Sequence, residues 1–293
     1  MLRKSKNSFI VLLCLFFLFG CVDQNQKTSS SQKIVATSIT VTEILDALEV
    51  PAKQVVGVPS SETYTLPKRY KGIETIGSAM TPDMEIVTKL SPTLILSPNS
   101  LEDDLAKKYK KVGIDSAFLN LKSVSGMYKS IEELGTLLDC SKQADKLVNK
   151  FVKYMKEYTA SHQDKTQPKV LILMGLPGSY VVATSSSYVG DLVSLAGGAN
   201  VYGDGDGEDF LNVNPEDMLK QNPDIILRTS HAMPEQVKEM FAKEFSENGI
   251  WSQFEAVKNN KVYDLENQYF GMSANFHYQK AISQLEGILY ADN

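Results

Sequence analysis

One stretch near the middle of the chain, "SKQADKLVNKFVKYMKEYTASHQ" (141–163), most constrains the fold. Ala144, Leu147, Val148, Phe151, Met155 and Tyr158 recur at spacings of three and four, drawing one apolar stripe along a helix. Lysines and a glutamate fill the other side, and Pro168 stops the pattern. On either side of this helix, short β-branched runs alternate with helical patterns. "KIVATSI", "QVVGV" and "TLILS" come before it, and "KVLILMG", "DIILRTS" and "KVYDLE" after it. Such alternation gives parallel sheets covered by helices. The expectation is an α/β chain with parallel sheets: one half over 33–140, a connecting helix over 141–163 and a second half over 164–293.

A weak internal repeat points the same way. "EIVTKLSPTLIL" (85–96) and "EDMLKQNPDIIL" (216–227) share a glutamate, six residues, a proline and a four-residue strand. Pro82 and Pro215 fall two residues out of register. Acids are common at helix starts in any protein, but the shared spacing of Glu85–Pro92 and Glu216–Pro223 favours repeated lobes.

The first twenty residues stand apart. Arg3, Lys4 and Lys6 precede the uncharged run "FIVLLCLFFLF", which is shorter than the roughly 20 residues of a spanning helix. This is the pattern of a signal peptide over 1–20. "LFGC" then resembles a bacterial lipobox ending at Cys21, the residue that would carry the lipid. Residues 21–32 are polar and read as a tether. Loss of the signal takes the net charge from −5 to −8. An acidic exported chain is a poor partner for nucleic acid. Cys140 would then be the one remaining free thiol, so neither a disulfide nor a cysteine zinc site is expected; it reads as a small buried hydrophobe.

Catalytic motifs fare badly. "GLPGSY" lacks the spacing of a nucleophile elbow. "LAGGANVYGDGDG" follows a helical pattern where a dinucleotide fingerprint would precede one. "DGDGED" lacks the sixth-position glycine and twelfth-position glutamate of a calcium loop. Binding remains, and ligands of such sheets sit beyond the strand C-termini. The residues there are Ser60, Ser61, Tyr64 and Met80 in the first half, then Met174, Tyr180, His231 and Tyr269 to His277 in the second. Few are acids, which is unsuited to hard cations. A thioether and an imidazole in an apolar cleft suit a haem iron. Taken alone, these residues support a bilobed extracellular binding protein with a cleft compatible with a soft metal.

"GSAMTPDMEIV" and "RTSHAMPE", set in halves joined by a long helix behind a lipobox, resemble the haem-binding lipoproteins of Gram-positive ABC importers. More broadly, nearly the whole mature chain is similar to substrate-binding proteins for iron complexes and corrinoids, including the tail pattern of Trp251 and "AVKNNKVYDL". That resemblance implies two Rossmann-like lobes with little hinge motion and no enzymatic activity. It implies one haem b per chain, with Met80 and His231 as axial iron ligands and His277 as the competing imidazole. His162 is expected at the surface. Propionates would be held near Ser60, Ser61 and Tyr64, with Tyr180 and Tyr269 as further haem contacts; Lys68 and Arg69 are weaker candidates. The resemblance also implies docking of Glu85 and Glu216 to an ABC permease, a monomer on the outer face of the cell membrane, and an upstream surface haem donor as a further partner. The alternatives are a ferric-siderophore or corrinoid receptor on the same scaffold, a bare metal-ion receptor, or a structural lipoprotein. A siderophore site would want arginines and tryptophans, and the single Trp lies in the tail pattern.

Overall fold

The computed structural model describes residues 32–61 and 64–291. The signal peptide, Cys21 and the tether short of its last residue lie outside the described residues. The first sheet is wholly parallel, with β1 (Ile34–Ala36), β2 (Val55–Gly57), β3 (Leu94–Pro98) and β4 (Ser116–Leu119) in the order β2-β1-β3-β4. Its helices are α1 (Ile39–Ala47), α2 (Met84–Leu90), α3 (Glu102–Lys111) and α4 (Val124–Leu137). The connecting helix α5 spans Ser141–His162. The second sheet holds β5 (Lys169–Leu176), β6 (Ser179–Ala183), β7 (Ala199–Asn200), β8 (Phe210–Leu211), β9 (Ile225–Ser230) and β10 (Val262–Asp264). Around it lie α6 (Tyr188–Leu195), α7 (Pro215–Lys220), α8 (Pro234–Glu247), α9 (Glu255–Lys258) and α10 (Tyr278–Leu289).

Helix starts follow local chemistry. Ser38, Ser123, Ser187 and Asn214 each accept a first-turn N–H of α1, α4, α6 and α7 through the side chain. Asp83 does the same for α2, taking the N–H groups of Glu85 and Ile86. The repeat is also real in the backbone: Glu85 and Glu216 are each the second residue of their helix. Ser91 (φ 48°) and Asn222 (φ 49°) turn left-handed just before Pro92 and Pro223, and a parallel strand follows.

One expectation needs correction, and one element had no expectation at all. The second sheet, of order β10-β9-β5-β6-β8 with β7 on β5, is mixed, because β6 runs antiparallel to both β5 and β8. The cause is a two-residue turn, Pro177–Gly178, in which Gly178 takes φ 82° and closes the Leu176–Ser179 pair. The element without an expectation is helix α4, which the periodicity did not announce. Gly135 breaks its apolar face because α5 lies against it; a Cβ there would collide with that of Ala144.

The halves share a core. Ile34, Ala36 and Leu96 of the first sheet and Val170, Ile172 and Leu227 of the second belong to one buried cluster, filled by α1, α4, α5, α6 and α10. Within it Phe151 of α5 stacks on Tyr128 of α4 (ring centroids 4.3 Å, planes 4° apart) and meets Tyr278 of α10 edge-on at 5.8 Å. Truncating Phe151 would cost about 3–5 kcal/mol. The outer faces are covered separately, Val35 and Ile95 by Val87 and Leu105, and Leu171 and Ile226 by Val237, Phe241 and Trp251. Only the strand C-termini and their loops are left to form a cleft.

Candidate functional site

One lip of the cleft is built on the first sheet. Past β2, the Ser60 N–H donates to the Gly77 carbonyl (2.9 Å), which draws Ser60 against the 77–81 turn. Gly77 carries φ 87°, a conformation that suits glycine. The Thr81 N–H donates to Ser78 Oγ (3.2 Å), and the two hydroxyls lie 2.7 Å apart. Met80 stands on this closed turn with 61% of its surface exposed. Tyr64 is anchored by its N–H to Ser61 Oγ (3.0 Å). Burial, and then the charge of Glu43, push its phenol up.

The second lip is built on β9 and β10. The Asn267 amide donates to the carbonyl and the hydroxyl of Ser230, the last residue of β9. The next residue, His231, donates its N–H to Gly175 O on β5 (3.0 Å). His231 is exposed, and among the described residues no group bonds its ring nitrogens. The lips meet where the Tyr64 hydroxyl donates to Asn267 Oδ1 (3.1 Å). A line of contacts thus runs from Ser60, Ser61, Tyr64 and the Met80 turn through Asn267 to His231. Asn267 had no signal in the sequence, since an amide in a loop matches no motif.

Other contacts fix the spacing of the halves. Lys122 pairs with Asp209 (2.9 Å), the Ala274 N–H donates to Leu121 O (2.8 Å), and the Val124 N–H donates to Asp191 Oδ2 (2.8 Å). Beside the His231 turn a cavity of about 220 Å³ is walled by Ser230, Pro234, Phe241 and Asn267 over the Arg228–Asp264 pair. That is below the roughly 300–1,000 Å³ usual for a ligand pocket, so a large ligand would lie in the cleft itself.

The remaining candidates are placed elsewhere. Tyr180 packs on Phe241 and Trp251 in the cluster over the outer face of the second sheet, with its hydroxyl on Glu244 Oε1 (3.3 Å). Met174 is buried within β5 and does not lie beyond its end. Tyr269 and His277 lie on the 266–277 loop with rings 5.8 Å apart and Lys280 over Tyr269. Arg69 is held by Asp46 (2.7 Å), and Lys68 is exposed. His162 is not a surface residue: its side chain is 10% exposed, stacks on Tyr158 and bonds Glu286 (2.8 Å), tying α5 to α10. Cys140 is buried, and burial pushes its thiol up. Among the described residues there is no group of three or more His, Cys, Asp or Glu able to hold a metal ion. None of their helices is long and apolar enough to cross a membrane.

Comparison with known proteins gives a consistent result. Residues 34–269 match the family described as periplasmic binding protein. The high-affinity heme uptake system protein IsdE of Staphylococcus aureus (strain Newman) is 44% identical over 296 residues, covering 99% of both chains. The crystal structure of S. aureus IsdE complexed with heme superposes with a TM-score of 0.82 at 45% identity, over 88% of this chain and 99% of that one. An ABC transporter substrate-binding protein from Listeria monocytogenes EGD-e gives a TM-score of 0.83 at 43% identity, over 89% and 99%. A vitamin B12 binding protein, BtuF of Vibrio cholerae, shares the fold at 18% identity and a TM-score of 0.70.

Proposed function

The chain belongs to the periplasmic binding protein family, and from that premise we propose that it captures haem outside the cell and delivers it to an ABC permease. It is a binding protein and catalyses nothing. The observation that carries this reading is the pair of exposed donors, the Met80 thioether on one lip and the unbonded His231 imidazole on the other. A thioether and an imidazole are an axial pair that iron in a porphyrin accepts. With one ligand per lip, each bound haem ties the halves together. In this reading Ser60 and Ser61 hold the propionates through their hydroxyls, and Tyr64 adds its own by giving up the bond to Asn267. One haem b binds per chain, and Tyr269 adds an aromatic wall. Likeness over the full length to a relative named for heme uptake supports the same assignment. Lack of a carboxylate–imidazole cluster among the described residues speaks against a bare metal-ion receptor.

The remaining parts of the proposal concern setting. The lobes span 33–140 and 164–293 with the connecting helix over 141–163, and a lipid on Cys21 holds the monomer at the outer face of the membrane. Glu85 and Glu216, exposed at equivalent positions of α2 and α7, are the docking carboxylates for permease arginines. An upstream surface protein would supply the haem. The test is an absorbance titration of the chain after Cys21 with haemin, alongside Met80→Ala, His231→Ala and His277→Ala. A saturable one-to-one Soret shift altered by the first two supports the reading, while non-specific uptake would remove it. A spectrum changed only by His277→Ala would keep the function and replace the ligand.

A further inference from the structure

Seven non-glycine residues among those described have a left-handed backbone. Glu49, Ser91, Asp139, Asn222 and Asn260 sit at or just past the ends of helices α1, α2, α4, α7 and α9. There a left-handed residue closes the last turn, and four of the five have short polar side chains that tolerate it. Asp206 lies in an exposed turn. Met233 (φ 51°, ψ 56°) is the exception, because it stands at the start of a helix.

Two local rules fail at this one residue. A helix N-cap takes extended backbone and offers a side-chain oxygen to the first-turn N–H groups; Met233 offers neither. The left-handed region is also costly for a long apolar side chain, and asparagine or glycine would occupy it more readily. Burial does not repay this, since 52% of Met233 is exposed. Conformational outliers of this kind concentrate where a side chain must be presented to a ligand. The position supports that: Met233 lies two residues beyond His231, on the turn pinned by Gly175 and Asn267. The exposed large apolar residues are also grouped. Of the six, Leu137 and Val152 are on α4 and α5, and Tyr64, Met80, Met233 and Met272 are all on segments that border the cleft. An apolar rim of this type marks a binding surface.

We infer that Met233 is a ligand contact: the left-handed turn holds its side chain against the flat face of the macrocycle on the side where His231 approaches the iron. The inference rests on the haem reading. Its role is packing, so the shape and apolarity of the side chain matter and the sulfur does not.

The experiment follows haemin release to an apo-globin acceptor, with melting temperature and Soret spectrum, in the wild-type chain, Met233→Asn and Met233→Leu. Asparagine suits the backbone and removes the apolar contact. Its melting temperature should equal or exceed the wild type while release accelerates about tenfold, the loss of roughly half a buried methionine's contact. Leucine should keep release within about threefold of wild type. Unchanged release in Met233→Asn overturns the inference while leaving haem binding intact. Fast release in both variants with an altered low-spin spectrum would make the sulfur an iron ligand and also overturn it. A wild-type chain that does not bind haemin removes the functional reading and this inference together.

Discussion

Asp191 offers a prediction that can be worked to a number. It lies on α6 in the second half, and its carboxylate accepts the N–H of Val124, the first residue of α4 in the first half. Burial nevertheless pushes its carboxyl from 3.8 up to about 6, against the opposing effect of that bond. In the unfolded chain the group titrates near 3.9. Between those values the native state holds a proton that the unfolded state has released, so this group's contribution to stability falls as pH rises. The contribution is complete below the unfolded value and lost on passing about 6. The difference corresponds to about 3 kcal/mol, of which about 2 kcal/mol is recovered at a pH of about 4.5. Asp191→Asn keeps an oxygen acceptor for Val124 and removes the charge. Urea unfolding of both chains at a pH of about 7.5 and about 4.5 isolates the group, because other titrations cancel in the difference. Relative to the variant, the wild-type chain should gain about 2 kcal/mol at the lower pH. A difference constant to within about 0.5 kcal/mol would mean that the carboxyl titrates as in water, and the argument from burial would fail.

Three further outcomes follow from the contacts. Tyr180→Phe removes the bond to Glu244 and should lower stability by about 1 kcal/mol in urea unfolding, with haemin affinity unchanged within about twofold. A Cβ at Gly175 would collide with Val237 and Phe241; Gly175→Ala should lose about 1–3 kcal/mol and, by moving the carbonyl that holds the His231 N–H, shift the Soret band of the complex. His162→Ala should lose about 1–2 kcal/mol through the Glu286 bond and the Tyr158 stack. Its haemin titration should match wild type.

The parts of the fold that local pattern controls could be read in the sequence. Alternating β-branched runs placed both sheets, and the stripe from Ala144 to Tyr158 placed α5 to within a residue. The Glu–Pro spacing marked two helix-to-strand units whose backbones agree down to the left-handed residue before each proline. Helix α4 was hidden because Gly126 and Gly135, which lower helix propensity, are there to admit Asn120 and Ala144. Strand β6 did have a signal: Pro177–Gly178 between apolar runs is a hairpin turn. His162 was misjudged because its partner Glu286 lies 124 residues away. The cleft was legible as a list of segments after strand ends. Its assembly was not, because Tyr64 and Asn267 meet across 203 residues and nothing local to either names the other.

The core common to both sheets has a consequence for traffic through the cleft. Opening the halves like a hinge would expose the stacked Phe151, Tyr128 and Tyr278 to water, so thermal motion alone will seldom do it. In the proposed reading, the gap would then keep nearly one width with and without ligand, and would favour flat molecules over bulky ones before any polar group is tested. Unloading meets the same stiffness. In the proposed reading, the force that parts the lips would come from outside, through a permease holding both halves at once.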